Sequence, residues 1–154
     1  MAATTACEER RAEAGNAASA AMVSEADAAA AADATQAAWT SMDVPKIESV
    51  FAKDVVSFSP VTAPLATTWD EFHKRQERFA ALKMDKIEVA DRNIQILDND
   101  TFVVSGIGKL TSSDGEENDR TVRFTHVYQK QDDGSWKIVT AHRSFAPEEN
   151  EAST

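Results

Sequence analysis

From Arg120 to Phe145 the chain reads RTVRFTHVYQKQDDGSWKIVTAHRSF, two alternating strands folded about Asp132-Asp133-Gly134-Ser135. Side chains two apart share a sheet face, so a hairpin of this length commits its residues to a buried side and an opposite side. Taking Phe124 as inward groups Val122, Phe124, His126 and Tyr128, and turns Thr121, Arg123, Thr125 and Val127 away. In the second strand Val139, Ala141 and Arg143 form one set, while Trp136, Ile138, Thr140 and His142 form the other. His126 and Arg143 are therefore expected together among the large aromatics, with His142 pointing away from them. An arginine and a histidine mid-strand on such a face make a candidate anion pocket out of a packing surface.

The rest of the chain supplies what would cover that face. Ser24 and Asp27 open an Ala-rich helix running to Trp39 and Met42, and Asp43-Val44-Pro45 restarts the chain in a short helix through Ile47, Val50 and Phe51. Residues 54–60 (DVVSFSP) read as a strand ended by a proline loop. Thr68-Trp69-Asp70-Glu71 has the capping-box pattern, predicting a helix over 69–81 that carries Phe72, His73, Gln76 and Phe79. Strands follow near 86–97, 101–111, 119–130 and 136–145, separated by turns at Asp98-Asn99-Asp100 and Ser113-Asp114-Gly115. Phe102, Val104, Gly106, Gly108 and Leu110 share a face, and two mid-strand glycines mark a bend or a void.

Helix, helix, strand, helix and four antiparallel strands make an α+β domain, a curved antiparallel sheet capped by three helices. One such domain over 24–146 accounts for the 154 residues, between an Ala-rich tail or linker at 1–23 and an acidic tail at 147–154. The net charge of -10 excludes the concentrated basic surface that nucleic acid requires. With Cys7 as the one cysteine there is no intramolecular disulfide, and no apolar run is long enough to span a membrane. Thr4-Thr5-Ala6-Cys7 leaves two localisations open, an exported lipoprotein anchored at Cys7 or a cytoplasmic protein with a disordered tail.

The element order and the closing WKIVTAHRSF resemble the nuclear transport factor 2-like superfamily, and within it the association domain of calcium/calmodulin-dependent protein kinase II and small bacterial SnoaL-like proteins. The resemblance implies a cone-shaped fold around a cavity. It also implies site residues: Phe72-His73 is similar to a Phe-His pair whose histidine lines the pocket, and Arg143 in AHRS to a pocket arginine. His126 in THVY stands where the association domain has an arginine, and another of its pocket arginines falls at or beside Gly108. Fewer fixed positive charges and one titratable imidazole would result.

A buried arginine needs a carboxylate or a bound anion, and the inward positions offer no acid, so Arg143 is a candidate fork for a ligand's carboxylate or phosphate. The ligand body is expected against Trp39, Phe58 and Phe102. If the chain is an enzyme, a cofactor-independent lyase or isomerase is the expected class, with His126 or His73 as base and Tyr128 as hydrogen-bond donor. The plain alternatives are core histidines and a structural ion pair for Arg143. No metal site is expected, because no pattern brings three deprotonated ligands together. Val103, Ile107, Val127, Trp136 and Ile138 are expected as an apolar band on the opposite face, which makes a homodimer through the sheet the expected partner arrangement and an assembly module a further reading.

Overall fold

A computed structural model describes residues 22–82 and 84–147. Cys7, most of the 1–23 tail and the acidic residues from 148 onward lie outside the described residues.

Local chemistry sets the helices. Ser24 caps α1 (Glu25–Thr40) by accepting from Asp27 N at 3.0 Å, and Asp43 caps α2 (Val44–Ser49), with Pro45 in the first turn. Thr68 and Glu71 form a complete capping box at the start of α3 (Trp69–Ala80). The face that α1 buries is Ala28, Ala32, Thr35 and Ala38, small residues that let it lie close on the sheet, with the large Trp39 ring near its C-terminal end. Asp33 of α1 pairs with Arg92 of the sheet at 2.6 Å, beside that packed face.

Six strands form one sheet: β1 (Phe51–Ser59), β2 (Thr62–Ala66), β3 (Met84–Ile96), β4 (Thr101–Ser112), β5 (Arg120–Lys130) and β6 (Trp136–Phe145). Their order is β2-β1-β6-β5-β4-β3, antiparallel except where β1 runs parallel to β6. The sheet is curved and unclosed, and with the three helices of the described residues it makes the expected α+β cone. The sequence reading had no counterpart to β2, a five-residue edge strand carrying Pro64. The inner face of the sheet meets the helices through aromatic contacts, with Phe51 of β1 at 4.6 Å from Phe72 of α3 and at 6.2 Å from Trp39 of α1 between ring centroids.

One irregularity reorganises the face assignment. Val127 pairs with Thr140 and Tyr128 with Ile138, which leaves Val139 as an extra residue in β6. Alternation therefore reverses at Val139. Arg143 faces Phe124 and Ala141 faces His126, on the inner side as expected, but Ile138 and Trp136 are inner as well. Ile138 is fully buried and Trp136 meets Phe102 edge-on at 5.0 Å, so neither belongs to the outer apolar band. That band keeps Val103, Ile107 and Val127, continued across β1 by Val56 and Phe58.

Candidate functional site

Between α1, α3 and the inner faces of β3 to β6 lies a cavity of about 90 Å³ with a largely hydrocarbon wall. Trp39, Phe79, Ile87, Leu110 and Phe124 supply much of that wall. Val61 and Leu82 also line it and are each 37% exposed, which places its mouth between the β1–β2 turn and the end of α3.

Four polar atoms on residues lining this cavity are buried without a hydrogen-bond partner among the described residues: Trp39 Nε1, Gln76 Oε1, His126 Nε2 and Arg143 Nε. Buried polar groups are almost always satisfied, so four orphans converging on one hollow is an uncommon arrangement. Arg143 lays its guanidinium on the Trp39 ring, 4.1 Å from the centroid, and has Phe51 at 5.9 Å. Cation–π contact offsets part of the desolvation cost without neutralising the charge. Burial, reinforced by the positive charge of Arg75, brings the Arg143 pKa down to about 9. It stays cationic at neutral pH.

His126 responds in the opposite sense to a ligand-poised base. Burial, with Arg143 as the lesser cause, pulls its pKa down to about 3, so at neutral pH the imidazole carries no charge. Phe124 lies 5.0 Å away between ring centroids and holds it in an aromatic setting. Tyr128 lines the same cavity, but its hydroxyl already donates to Thr35 Oγ1 at 2.9 Å, and burial lifts its pKa to about 12. Its proton is committed to the fold.

Three expected site residues lie elsewhere. His73 sits on the shoulder of α3, where Nδ1 is 2.5 Å from Glu48 Oε1 and Nε2 is 3.5 Å from Glu77, clipping α3 to α2 outside the cavity. Glu48 is the main reason its pKa is raised. Phe58 projects from the outer sheet face beside His142, 45% exposed and 5.5 Å from that ring, because Val55 and Ser57 take the inward positions of β1. Phe102 is fully buried behind the wall, stacked on Tyr128 at 4.5 Å, and belongs to the core.

The helix instead sends Arg75 and Gln76 inward. Arg75 Nη1 donates to Ser57 O at 2.9 Å and Nη2 to Pro64 O, tying α3 to the β1–β2 hairpin while lining the cavity. The signal was in the sequence: Phe72, Arg75, Gln76 and Phe79 follow the i, i+3, i+4, i+7 spacing of one helix face, and His73 falls beside it. Gly108 opens onto the cavity where the resemblance placed a pocket arginine.

Comparison with known proteins places this architecture. A family model, the calcium/calmodulin-dependent protein kinase II association domain, matches residues 24–147. The chain belongs to that family. Among solved structures it is similar to a chain from Xanthomonas campestris assigned to the same association domain, at 29% identity and a TM-score of 0.68, covering 84% of this chain and 95% of that one. A nuclear transport factor 2-like protein of unknown function from Pseudomonas putida superposes with a TM-score of 0.71 at 20% identity, over 87% of this chain and 95% of its own. One from Streptomyces avermitilis assigned as a dehydratase reaches 0.66 at 20% identity, over 80% and 96%. At that identity the last two show the fold alone. No curated protein matches the sequence significantly. Membership in the association-domain family fixes the scaffold as a cavity domain and leaves the cavity's chemistry to the residues within it. No helix among the described residues is long and apolar enough to cross a membrane.

Proposed function

We propose that this association-domain-like chain binds a small, carboxylate-bearing molecule in its cavity. The observation that carries the reading is Arg143: a cation whose Nε is sealed from solvent and unpartnered, in a hollow that no Asp or Glu lines among the described residues. A bound carboxylate would accept from the guanidinium, whose planar fork suits that group. The unpartnered Trp39 and His126 nitrogens stand ready for its second oxygen or for a neighbouring acceptor. The hydrocarbon wall takes the body of the ligand.

Thermal unfolding of the full chain across a panel of small carboxylates tests this. At a concentration a hundredfold above Kd, a binder should raise Tm by roughly 5 to 10 °C. Arg143→Ala should abolish that rise while leaving the free protein about as stable as before, since the change removes a half-buried cation that has no paired counter-charge. A panel without a single shift would sink the reading.

An enzymatic role for the same cavity, as a lyase or isomerase, would rest on the unpartnered Nε2 of His126 as the proton acceptor. A neutral imidazole can accept a proton, but the environment that holds it near 3 makes it a weak base until an anion binds beside it. Turnover that survived His126→Ala would exclude that mechanism. We also infer that two copies associate through the outer sheet face, where Val103 pairs with Val127 and Ile107, 40% exposed, lies farther along β4 beyond the Ser105–Thr125 pair. Membership of an association-domain family supports this.

A further inference from the structure

Three arginines among the described residues line the cavity, and the protein treats them differently. Arg92 has its counter-charge within the fold, Asp33 at 2.6 Å. No Asp or Glu lies within ion-pair distance of Arg75 or Arg143 among the described residues, and Glu71, one turn back on α3, acts on Arg75 only at longer range. Arg75 is 7% exposed, and its two bonds run to neutral backbone carbonyls of Ser57 and Pro64. Carbonyls satisfy N–H donors; they do not cancel a unit of charge. Arg143 is stacked on indole and makes no hydrogen bond through Nε. Both residues line the hollow, from different elements, α3 and β6, and no acid lines it among the described residues.

A single carboxylate would leave one of these charges uncompensated in a low-dielectric site, at a cost that buried unpaired ions ordinarily do not sustain. Building on the cavity-binding reading above, we propose that the ligand class is a short dicarboxylate, one carboxylate facing Arg143 and the other facing Arg75, with its hydrocarbon spacer against the apolar wall. The modest volume limits the spacer to a few carbons. Arg75 thereby acts as a ligand-binding residue as well as a staple between α3 and the β1–β2 hairpin, and discrimination between diacids and monoacids resides on α3.

Isothermal titration of the full chain with carbon-matched pairs tests it: malonate against propionate, and succinate against butyrate, at neutral pH. The diacid of at least one pair should bind tenfold or more tightly than its monoacid. Equal affinities, or tighter monoacids, overturn the dicarboxylate assignment and leave the carboxylate cavity standing; no heat from any of the four removes both. Arg75→Met should erase the diacid advantage while changing monoacid affinity by less than about threefold. An equal loss for both acids would show that Arg75 only holds the hairpin in place and would overturn its pairing with ligand. Should Arg75→Met fail to fold by circular dichroism, Arg75→Lys keeps the charge and is expected to keep the preference, and its loss there counts against the pairing.

Discussion

A buried histidine and a half-buried arginine lining the same cavity illustrate how a side chain's surroundings decide its chemistry. Histidine ordinarily titrates near neutrality, yet His126 is driven to about 3, first by desolvation and then by Arg143. Linkage fixes the sign. Because the folded pKa lies below the unfolded value, the unfolded chain takes up the proton first as pH falls. Stability attributable to His126 is intact above about pH 6.5 and is lost progressively as pH drops toward 3, by an amount on the order of 4 kcal/mol at the lower end. Denaturant unfolding of the native chain and of His126→Gln from pH 7 to pH 4 should therefore show a shallower decline in the variant; parallel curves would mean that His126 is not the acid-sensitive group. His73 has the opposite sign. Its Glu48 partner raises its pKa, so the clip it forms between α2 and α3 holds below its unfolded pKa and loosens as pH rises through the folded value.

At the level of elements, what was legible in the sequence was whatever chemistry acts over a few residues. Ser24, Asp43 and the Thr68–Glu71 pair mark their helix starts because capping is a contact three residues long. Gly134, with φ of 83°, marks the β5–β6 turn for the same reason. The inward placement of His126 and Arg143 followed from period 2. The reversal at Val139 did not, because a bulge is decided by how β6 fits both β5 and β1, which alternation in a single strand does not encode. His73 was drawn inward by resemblance when helix spacing favoured Arg75. Two glycines anticipated as bend or void divide between those roles. A Cβ on Gly106 would come within 2.5 Å of Asp91 O and 2.7 Å of the Phe124 ring, whereas on Gly108 it would meet only Glu88 O at 3.5 Å. Gly106→Ala should cost roughly 1–3 kcal/mol by chemical denaturation through enforced displacement. Gly108→Ala should cost little and narrow the cavity instead. Similar losses from both would contradict this division.

Viewed as a whole, the molecule uses one sheet for two surfaces, a concave side closed by helices and an outer side with a patch of Val103, Ile107 and Val127. On the proposed reading, in which copies pair through the outer face and a carboxylate binds on the concave one, their separation should make assembly and ligand response independent. Val127→Lys should convert a dimer to monomers in analytical ultracentrifugation without altering a carboxylate-induced thermal shift; a dimer that persisted would place the contact elsewhere. The supernumerary Val139 ties the two surfaces to the genetic text. With strict alternation through β6, Ile138 and Arg143 would emerge on opposite sides, so hydrocarbon core and cavity cation share one strand because of a single added position. Loss of that one codon would oblige the strand to surrender either its greasy anchor or its charged tip. Descendants of such a gene would keep the cone and lose the inward guanidinium in one step.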